Sequence, residues 1–311
     1  MLRGLGEDAA ATHLLAKHSE LYRPAADKVP TLSYTLARTA GSPDDAVQQV
    51  TISYQWTASA TTAAEPLVTT TLPSGWQATP PRLTANHGVF AISGPLDHAQ
   101  NSFTITATSG GITRTQVVTI PAGWRIATGG GKALGWVQNS IYDPAKDRQP
   151  LDERLQRGEG MTTPVPFPLG EPAAWRLYVA SNDHTGLNQV GSVDLAAVTF
   201  FKHGHQAFGA RWIYSDRERP VTLELSSQAF AGTWSLGVHL NGKPAYEGKL
   251  AGEPGGKASA AASLAKGWNF LVFKSSFIQW QWQFAITLRG QAGDDLGDLR
   301  YSTKPPASSG P

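Results

Sequence analysis

The amino-acid sequence predicts an all-β fold in which two β-sandwiches follow a short N-terminal helix. Short runs of β-branched and aromatic residues recur along the chain, and clusters of Gly, Pro, Asn and Asp separate them. Gly (32 residues) and Pro (21 residues) are plentiful, whereas charged residues make up only 16%. At 311 residues the chain is too long for one ordinary sandwich and suits two domains of about 100 to 200 residues each.

The predicted helix and its lead-in occupy residues 1–28. Between residues 6 and 23, apolar side chains recur at steps of three and four, which places them on one face of a helix. Pro24 then ends the helix. We expect this amphipathic helix to pack on a neighbouring domain; binding of a partner protein is the alternative.

Residues 29–122 form the first predicted sandwich. Apolar and polar residues alternate there at a period of two, so that Val50, Ile52, Tyr54 and Trp56 share one face of a strand. The predicted strands lie within segments 31–40, 48–59, 66–76, 87–96, 101–110 and 112–123. This spacing is typical of an immunoglobulin-like sandwich of about seven strands, and Trp56 is predicted to lie in its core.

A short motif in this half, Leu72-Pro73-Ser74-Gly75-Trp76, leads from an apolar strand into a turn and a packing tryptophan. It resembles the Leu-Pro-x-Gly-Trp element of immunoglobulin-like domains that accompany carbohydrate-active bacterial enzymes. The resemblance implies a spacer domain beside a carbohydrate-related module.

Residues 123–302 form the second predicted sandwich, and residues 303–311 form a flexible tail rich in Pro and Ser. The boundary is placed in the glycine-rich stretch 123–135, because consecutive glycines have a high entropy cost of ordering, and segment 139–173 is predicted to be an extended loop. Strands then resume within 175–181, 192–201, 207–215, 220–227, 234–240, 244–250, 269–276 and 280–290. Such a series suits a jelly roll.

A series of motifs in this half occurs in one order. They lie at residues 191–195, 207–214, 240–243, 264–274, 282–284 and 298–302. The series is similar to a galactose-binding-like module common in large secreted proteins of planctomycetes and related bacteria. The chain departs from that family at Gly237-Val238-His239-Leu240, where the family often has an aromatic and acidic residues.

Two of these motifs have physical interpretations that do not depend on the family. Asn241-Gly242 is a preferred pair for a type I′ turn, because both residues accept positive φ, so it should join two antiparallel strands. Gly267-Trp268 begins an apolar run that includes Leu271 and Phe273, which predicts a core strand.

Composition excludes several kinds of chemistry. The chain has no cysteine, which excludes disulfides, thiolate metal sites and cysteine nucleophiles. Its net charge is +2 without a basic run, so nucleic acid is not an expected partner. The nucleophile elbow of α/β-hydrolases and the phosphate-binding loop are both absent from the sequence.

No catalytic residue is predicted, and catalysis on a sandwich scaffold is kept as an alternative with unranked acids as candidates. These acids are Asp194, Asp216, Glu218 and Glu224. No metal site or cofactor is expected. His203 and His205 are interpreted as solvent-facing loop residues, and the acids Asp294, Asp295 and Asp298 as a solvated turn, with a structural calcium ion as the alternative for the acids.

The predicted ligand-binding residues are Trp280, Gln281 and Gln283. If 279–284 is one strand, Trp280 and Trp282 share a face and the glutamines share the other. Sugars stack on aromatic rings while amides hydrogen-bond to hydroxyls, so this strand has both ingredients of a glycan site. The alternative is that the aromatic face is core.

The sequence therefore predicts a non-catalytic accessory region of a carbohydrate-active or cell-surface protein, which binds glycan or docks a catalytic domain. A structural or assembly protein, making contacts through sandwich edges and the N-terminal helix, is one alternative. A polysaccharide hydrolase or lyase is another. We expect an extracellular or periplasmic location without a membrane span, in a longer polypeptide or a processed one, since no export signal is visible at the N-terminus.

Overall fold

The structure, a computed structural model, describes residues 30–37, 48–57, 64–129, 173–178, 192–195, 205–227, 232–251, 256–280 and 282–304. Every helix or strand assigned in these ranges is a β-strand, which confirms the predicted all-β class. The predicted N-terminal helix, most of the predicted loop 139–173 and most of the predicted tail lie outside the described residues. In the ranges above, no helix has the length and apolarity needed to cross a bilayer.

The described residues of the first sandwich form eight strands in two antiparallel sheets. The strands are β1 (Thr31–Ala37), β2 (Gln48–Thr57), β3 (Leu67–Thr71), β4 (Gln77–Thr79), β5 (Arg82–Thr84), β6 (His87–Gly94), β7 (Gln100–Ser109) and β8 (Ile112–Pro121). Sheet 1 has the order β1-β2-β6-β4, and sheet 2 has the order β5-β3-β7-β8. The six predicted strand segments of this half all contain strands, and the short strands β4 and β5 are additional.

The core of the first sandwich lies between sheets 1 and 2. Ile52 and Phe90 from sheet 1 meet Val68, Ile105 and Ile120 from sheet 2, and all five side chains are fully buried or nearly so. The period-two alternation of β2 and β7 therefore directs every second side chain inward. Trp56 is buried in this core, as predicted.

The turn after β3 contains the Leu-Pro-x-Gly-Trp motif. The backbone N–H of Trp76 donates to the Pro73 carbonyl at 3.2 Å, which closes the turn. The Trp76 ring lies over Gly94, where an added Cβ would be 2.4 Å from the indole. Gly94 is thus required by the close approach of the ring, and the tryptophan packs against the core as predicted.

In the described part of the second sandwich there are eleven further strands. They are β9 (Trp124–Gly129), β10 (Arg176–Tyr178), β11 (Ser192–Asp194), β12 (Gln206–Ser215), β13 (Arg219–Ser227), β14 (Gly232–Leu240), β15 (Lys243–Ala251), β16 (Lys257–Leu264), β17 (Gly267–Trp280), β18 (Gln283–Gly290) and β19 (Arg300–Ser302). Sheet 3 has the order β10-β9-β12-β17-β14-β15, with β19 also paired to β12, and sheet 4 has the order β11-β18-β13-β16.

Sheet 3 is apolar on its inner face and over the centre of its outer face. Its inner face meets sheet 4 in a core that includes Trp234, Phe273 and Phe284. Its outer face bears a second buried cluster around Trp212 and Phe270, whose ring centroids are 5.0 Å apart. Nearly every residue of β12 is buried for this reason, as expected of a central strand that is covered on both sides.

Three strands of this half were not predicted. β9 lies in the stretch that the sequence assigned to the domain boundary because of the glycine run, yet its Trp124, Ile126 and Thr128 favour a strand and it pairs with both β10 and β12. β16 consists mainly of Ala and Ser, which have low strand propensity, and pairing with β13 along its length compensates for this. The short strand β19, in the closing motif 298–302, pairs with β12.

The Asn-Gly turn between β14 and β15 has the predicted geometry. Asn241 has φ 52° and Gly242 has φ 74°, as a type I′ turn requires. The Asn241 side chain also donates to Oδ1 of Asn269 at 2.7 Å and accepts from the Phe270 N–H at 2.8 Å. The turn is therefore tied to the start of β17.

Asn269 is fully buried and satisfies the backbone of the turn before β17. Its Oδ1 accepts from the Ala265 N–H at 2.8 Å, while its Nδ2 donates to the carbonyls of Ala265 at 2.9 Å and Gly267 at 3.0 Å. Two motifs distant in sequence, Asn241-Gly242 and Gly267-Trp268-Asn269, thus form one hydrogen-bonded unit. Buried polar groups need such partners, so these asparagines stabilise the fold.

Candidate functional site

The predicted ligand-binding residues do not lie on one strand. Trp280 ends β17 in sheet 3, whereas Gln283 begins β18 in sheet 4, so the chain crosses between the two sheets at this point. The prediction of a single strand over 279–284 is therefore wrong, because the twisted chain changes sheets at a corner that alternation alone does not reveal. Trp282 is fully buried in the core and donates its Nε1–H to Ser275 Oγ at 2.8 Å.

Gln283 is 6% exposed, which does not favour direct contact with a ligand. Gln281 and the side chain of Trp280 lie outside the described residues. Ligand binding by Trp280, Gln281 and Gln283 stays a prediction.

Asp216 and Asp298 flank a buried arginine. Arg219 Nη2 donates to Asp216 Oδ1 at 2.6 Å and to Asp298 Oδ2 at 2.5 Å, and Nη1 donates to Asp298 Oδ1 at 3.0 Å. The hydrogen bond from Arg219 lowers the pKa of Asp298 below its ordinary value. This cluster holds the turn between β12 and β13 against the segment that leads to β19, and both acids are committed to the arginine.

The other candidate acids lie on the surface of sheet 4 or beyond the described side chains. Glu224 Oε2 lies 3.4 Å from Arg289 Nε, and Asp295 pairs with Nη1 of the same arginine. Glu218 is exposed, and the side chain of Asp194 is not described. Among the residues described, no group of three or more His, Asp or Glu side chains is arranged to hold a metal ion. For Asp294, Asp295 and Asp298 a solvated turn stays the prediction, and a structural calcium ion stays the alternative.

The prediction that His205 faces solvent is wrong. It is 7% exposed, at the start of β12, and its backbone carbonyl accepts from the Phe277 N–H at 2.9 Å. It is therefore buried rather than solvent-facing, because β12 is the central strand of sheet 3. His203 lies outside the described residues.

A site that the sequence did not predict lies where the two sandwiches meet. The first sandwich contributes the loop between β6 and β7, which contains Asp97 and His98. Leu96 anchors this loop in the core, and Asn101 holds it by accepting from the His98 N–H at 3.1 Å and donating to the His98 carbonyl at 2.7 Å. The loop is thus fixed from two sides.

The second sandwich contributes β19, which the core also fixes. The Tyr301 ring is buried, and the Arg211 guanidinium lies 4.8 Å from its centroid and 3.9 Å from that of Trp124. Arg211 also donates to the Ile286 carbonyl of sheet 4 at 3.2 Å. Burial lowers the pKa of Arg211 to about 10, which still leaves the guanidinium charged at neutral pH. Stacked cations of this kind stabilise the rings they contact.

Arg300 of β19 contacts the loop between β6 and β7. Its Nη1 donates to Asp97 Oδ2 at 2.9 Å and lies 3.3 Å from His98 Nδ1. His98 Nδ1 is also 2.8 Å from Asp97 Oδ1, and the Tyr301 N–H donates to the Asp97 carbonyl at 2.6 Å. All three charged or ionisable side chains stay partly exposed. An exposed ion pair contributes only about 0–1 kcal/mol, so this network is poorly explained as a stabilising device alone.

Two aromatic rings continue this network across sheet 3. Arg300 is directly opposite Tyr214 in the β12–β19 pairing, and Tyr214 is directly opposite Trp268 in the β12–β17 pairing. Directly paired residues lie on the same face of a sheet. Trp268 and Tyr214 are half-buried, and their ring centroids are 5.4 Å apart in an edge-to-face arrangement. We call the set of Trp268, Tyr214, Arg300, Asp97 and His98 the junction site.

The junction site combines aromatic faces, a fork of N–H donors and a carboxylate acceptor at the boundary between two sandwiches. Ligand sites are common at domain boundaries and consist of apolar walls with a few convergent polar groups. Glycoside hydrolysis ordinarily needs a pair of carboxyl groups across the bond that breaks, whereas the described network around Arg300 includes one, that of Asp97. The arrangement is suited to binding a polyhydroxylated molecule.

At the end of the outer face of sheet 3 that is remote from the junction site, the half-buried side chains are polar. Lys274 and His239 are half-buried there, and burial lowers the pKa of both groups, while the charge of Glu247 acts to raise both. Lys274 Nζ lies 5.8 Å from the centroid of the Phe208 ring. This end therefore differs in chemistry from the junction site, because its rings are covered and its charges are held close together.

Comparisons with known proteins give no family assignment. None of the family models matches the chain, and no curated protein matches it. One similar solved structure is the A domain of epithelial adhesin 6 from Candida glabrata in complex with Galb1-3GlcNAc, at 13% identity, 61% coverage of this chain, 90% of that chain, and a TM-score of 0.30. Another is the secreted serine protease VesC from Vibrio cholerae, at 11% identity, 88% coverage of this chain, 51% of that chain, and a TM-score of 0.21. Neither likeness is close enough to support an argument about function.

Proposed function

We propose that this chain binds glycan at the junction site. The observation that supports the proposal is the continuous row from Trp268 through Tyr214 to Arg300 and Asp97, in which exposed ring surface adjoins a donor and an acceptor. A sugar ring places its C–H face on an aromatic side chain and its hydroxyls against such polar groups. The charged pair is already formed, so the site is preorganised.

The proposal assigns the chain an accessory role in a carbohydrate-active or cell-surface protein, outside the cell. The proposal keeps the division into domains 29–122 and 123–302, and the change from one core to the other between Ile120 and Ala122 supports it. The order β1-β2-β6-β4 against β3-β7-β8 supports an immunoglobulin-like first domain. The bond between the Asn-Gly turn and Asn269 supports a galactose-binding-like second domain, because it links two of that family's motifs.

The test is a glycan array that includes plant, algal and bacterial polysaccharides, followed by titration calorimetry with the best ligand. Trp268→Ala removes the ring platform, and Arg300→Gln removes the charged donor while keeping a polar side chain. Each substitution should weaken binding about tenfold, which corresponds to about 1.4 kcal/mol. Arg289→Gln is the matched control, because Arg289 is an ion-paired, partly exposed arginine on sheet 4.

Failure of the whole array, or binding that survives both Trp268→Ala and Arg300→Gln, would contradict the proposal. Light scattering on the same samples distinguishes the structural alternative, since an assembly protein forms defined oligomers whether or not glycan is present. Turnover assays with Asp97→Asn address catalysis, and a polysaccharide degraded by the wild type but not by this variant would make the site an active site.

A further inference from the structure

The two aromatic rings of the junction site do not lie in one plane. The ring planes of Tyr214 and Trp268 are 63° apart at a centroid distance of 5.4 Å, so the edge of one ring meets the face of the other. Consecutive sugars of an extended chain would need ring faces in a single plane if both were to stack at once. The pair therefore offers a stacking surface and a side wall to one sugar ring.

The neighbouring row of side chains on the same sheet face is closed. Two residues along the same strands, Trp212 lies directly opposite Phe270, and each of these rings is only 6% exposed. Both belong to the buried cluster on the outer face of sheet 3, which also contains Trp175. A second sugar cannot stack on rings that are already covered. A glycan chain in the junction site therefore cannot extend along the strands toward this cluster.

The first sandwich closes the end of the row at Arg300. Tyr301 pairs with Ile213 of β12, yet its N–H donates to the Asp97 carbonyl at 2.6 Å. The loop between β6 and β7 therefore lies on the side of β19 that faces away from β12. Asp97 Oδ2 accepts from Arg300 at the same place. A glycan that extends along the row from Trp268 meets this loop after two strand spacings, which is roughly 10 Å.

The remaining side of the row is open. β12 ends at Ser215 and β17 begins at Gly267, and the residues that flank these ends, Asp216 and Lys266, are exposed. A glycan can leave the junction site past these strand ends or directly into solvent. The junction site is thus a corner with two closed sides, and it has room for one sugar ring between its aromatic and charged parts.

We propose that the junction site binds the terminal sugar residue of a glycan chain and not an internal stretch of the chain. This inference rests on the proposed function and narrows its substrate class to chain ends. The terminal ring lies against Trp268 and Tyr214, its hydroxyls accept from Arg300 and donate to Asp97, and the rest of the chain points away from the closed sides. Hydroxyls that are linked to neighbouring sugars inside a chain are free at its end, so they match the polar end of the row.

The experiment measures binding of the intact chain by saturation-transfer NMR. The probes are the methyl β-D-pyranosides of glucose, galactose and mannose, together with β-1,4-linked oligomers of the same sugars from two to six units. At least one methyl glycoside should bind. The dissociation constants of the oligomers built from that sugar should differ by less than about threefold, because added units make no further contacts. A larger gain of affinity with length would overturn the inference.

Substitutions at the site test the same point independently. Arg300→Gln should weaken the methyl glycoside and the six-unit oligomer by the same factor, about tenfold, because both place the same sugar residue at the site. A smaller loss for the oligomer would show that further units contact the protein and would overturn the inference. Trp268→Phe keeps an aromatic face and should retain most of the binding, even if Trp268→Ala unfolds. Arg289→Gln is the matched control and should behave as the wild type.

Failure of this inference is distinguishable from failure of the proposed function. If the oligomers bind through Trp268 and Arg300 but no methyl glycoside binds, glycan binding stands and the restriction to chain ends is wrong. If none of the methyl glycosides, the oligomers and the arrayed polysaccharides binds, both the inference and the proposed function are wrong.

Discussion

The two sandwiches place their aromatic side chains differently. The first directs Trp56, Phe90 and Phe103 into one core and leaves the outer face of sheet 2 exposed and largely polar. The second directs aromatic residues to both faces of sheet 3, with Phe273 inside and Trp212 outside. The same period-two geometry therefore gives a sheet with one apolar face in one case and two apolar faces in the other.

The outer face of sheet 2 is therefore exposed to solvent, whereas most of the outer face of sheet 3 is covered. A sheet with a solvated face shows clean alternation, as β7 does, whereas a sheet covered on both faces shows continuous burial, as β12 does. Aromatic side chains at the margin of a covered face, such as Trp268 and Tyr214, are held firmly and yet stay partly exposed. That combination favours the second sandwich as the location of a small-ligand site.

The first prediction compares the truncation of one outward-pointing side chain on sheet 3 with the truncation of one on sheet 2. Trp212→Ala removes a buried ring from the outer cluster of sheet 3 and should cost about 3 to 5 kcal/mol of unfolding free energy. Thr106→Ala on sheet 2 removes one cross-strand hydroxyl pair and should cost less than about 1 kcal/mol. Urea unfolding followed by tryptophan fluorescence measures both. Equal costs would mean that the outer face of sheet 3 is not packed as core.

The second prediction concerns the buried asparagine. Asn269→Leu leaves the Ala265 N–H and several carbonyls without partners, so it should destabilise the second sandwich by about 3 kcal/mol. Asn241→Gly keeps positive φ at the turn and loses only the side-chain bonds, so its cost should be about 1 kcal/mol. The unfolding free energies of the two variants, measured side by side, should therefore be ranked in this order. A harmless Asn269→Leu would show that the motif is not structural.

The smallest expected effect depends on pH. The bond from Arg219 lowers the pKa of Asp298, so the folded state binds a proton less readily there than the unfolded chain does. The resulting stabilisation is complete above the ordinary aspartate pKa of about 3.9 and is lost as the pH falls through the lowered value. Asp298→Asn should therefore be less stable than the wild type at pH 7, and the difference should shrink in acid. Asp298 is half exposed, so we expect a modest difference in midpoint. A gap that widens in acid would contradict this assignment.

The all-β class was predictable from the sequence because its evidence is local. Alternation in β2, β6, β7 and β8 specifies strands, and Asn241-Gly242 specifies one turn. Trp56 is in a core, as predicted, whereas for Trp282 the alternative interpretation, that the aromatic face is core, is the one that the structure supports. β9 was missed because the glycine run that follows it was taken as the domain boundary, although Trp124, Ile126 and Thr128 favour a strand. β16 was missed because its Ala and Ser residues have low strand propensity, and it becomes a strand by pairing with β13.

The candidate site depended on information that the sequence does not contain. Arg300 belongs to a closing motif that the sequence made visible, but Asp97 and His98 lie in an ordinary loop about two hundred positions earlier. A contact between them depends on how two sandwiches pack, which no periodicity encodes. The corner between β17 and β18 is also hidden in the sequence, because the chain can pass from sheet 3 to sheet 4 while its residues keep almost the same alternation.

The sequence by itself determined that this chain forms strands and which residues share a face of a strand, because alternation and turn chemistry act over a few residues. Only the tertiary structure decided which sheet has two covered faces, and which aromatic rings meet Arg300 and Asp97 at the junction of the sandwiches. The physical reason is that strand pairing and packing join residues remote in the chain, and their contacts depend on three-dimensional geometry rather than on local preference.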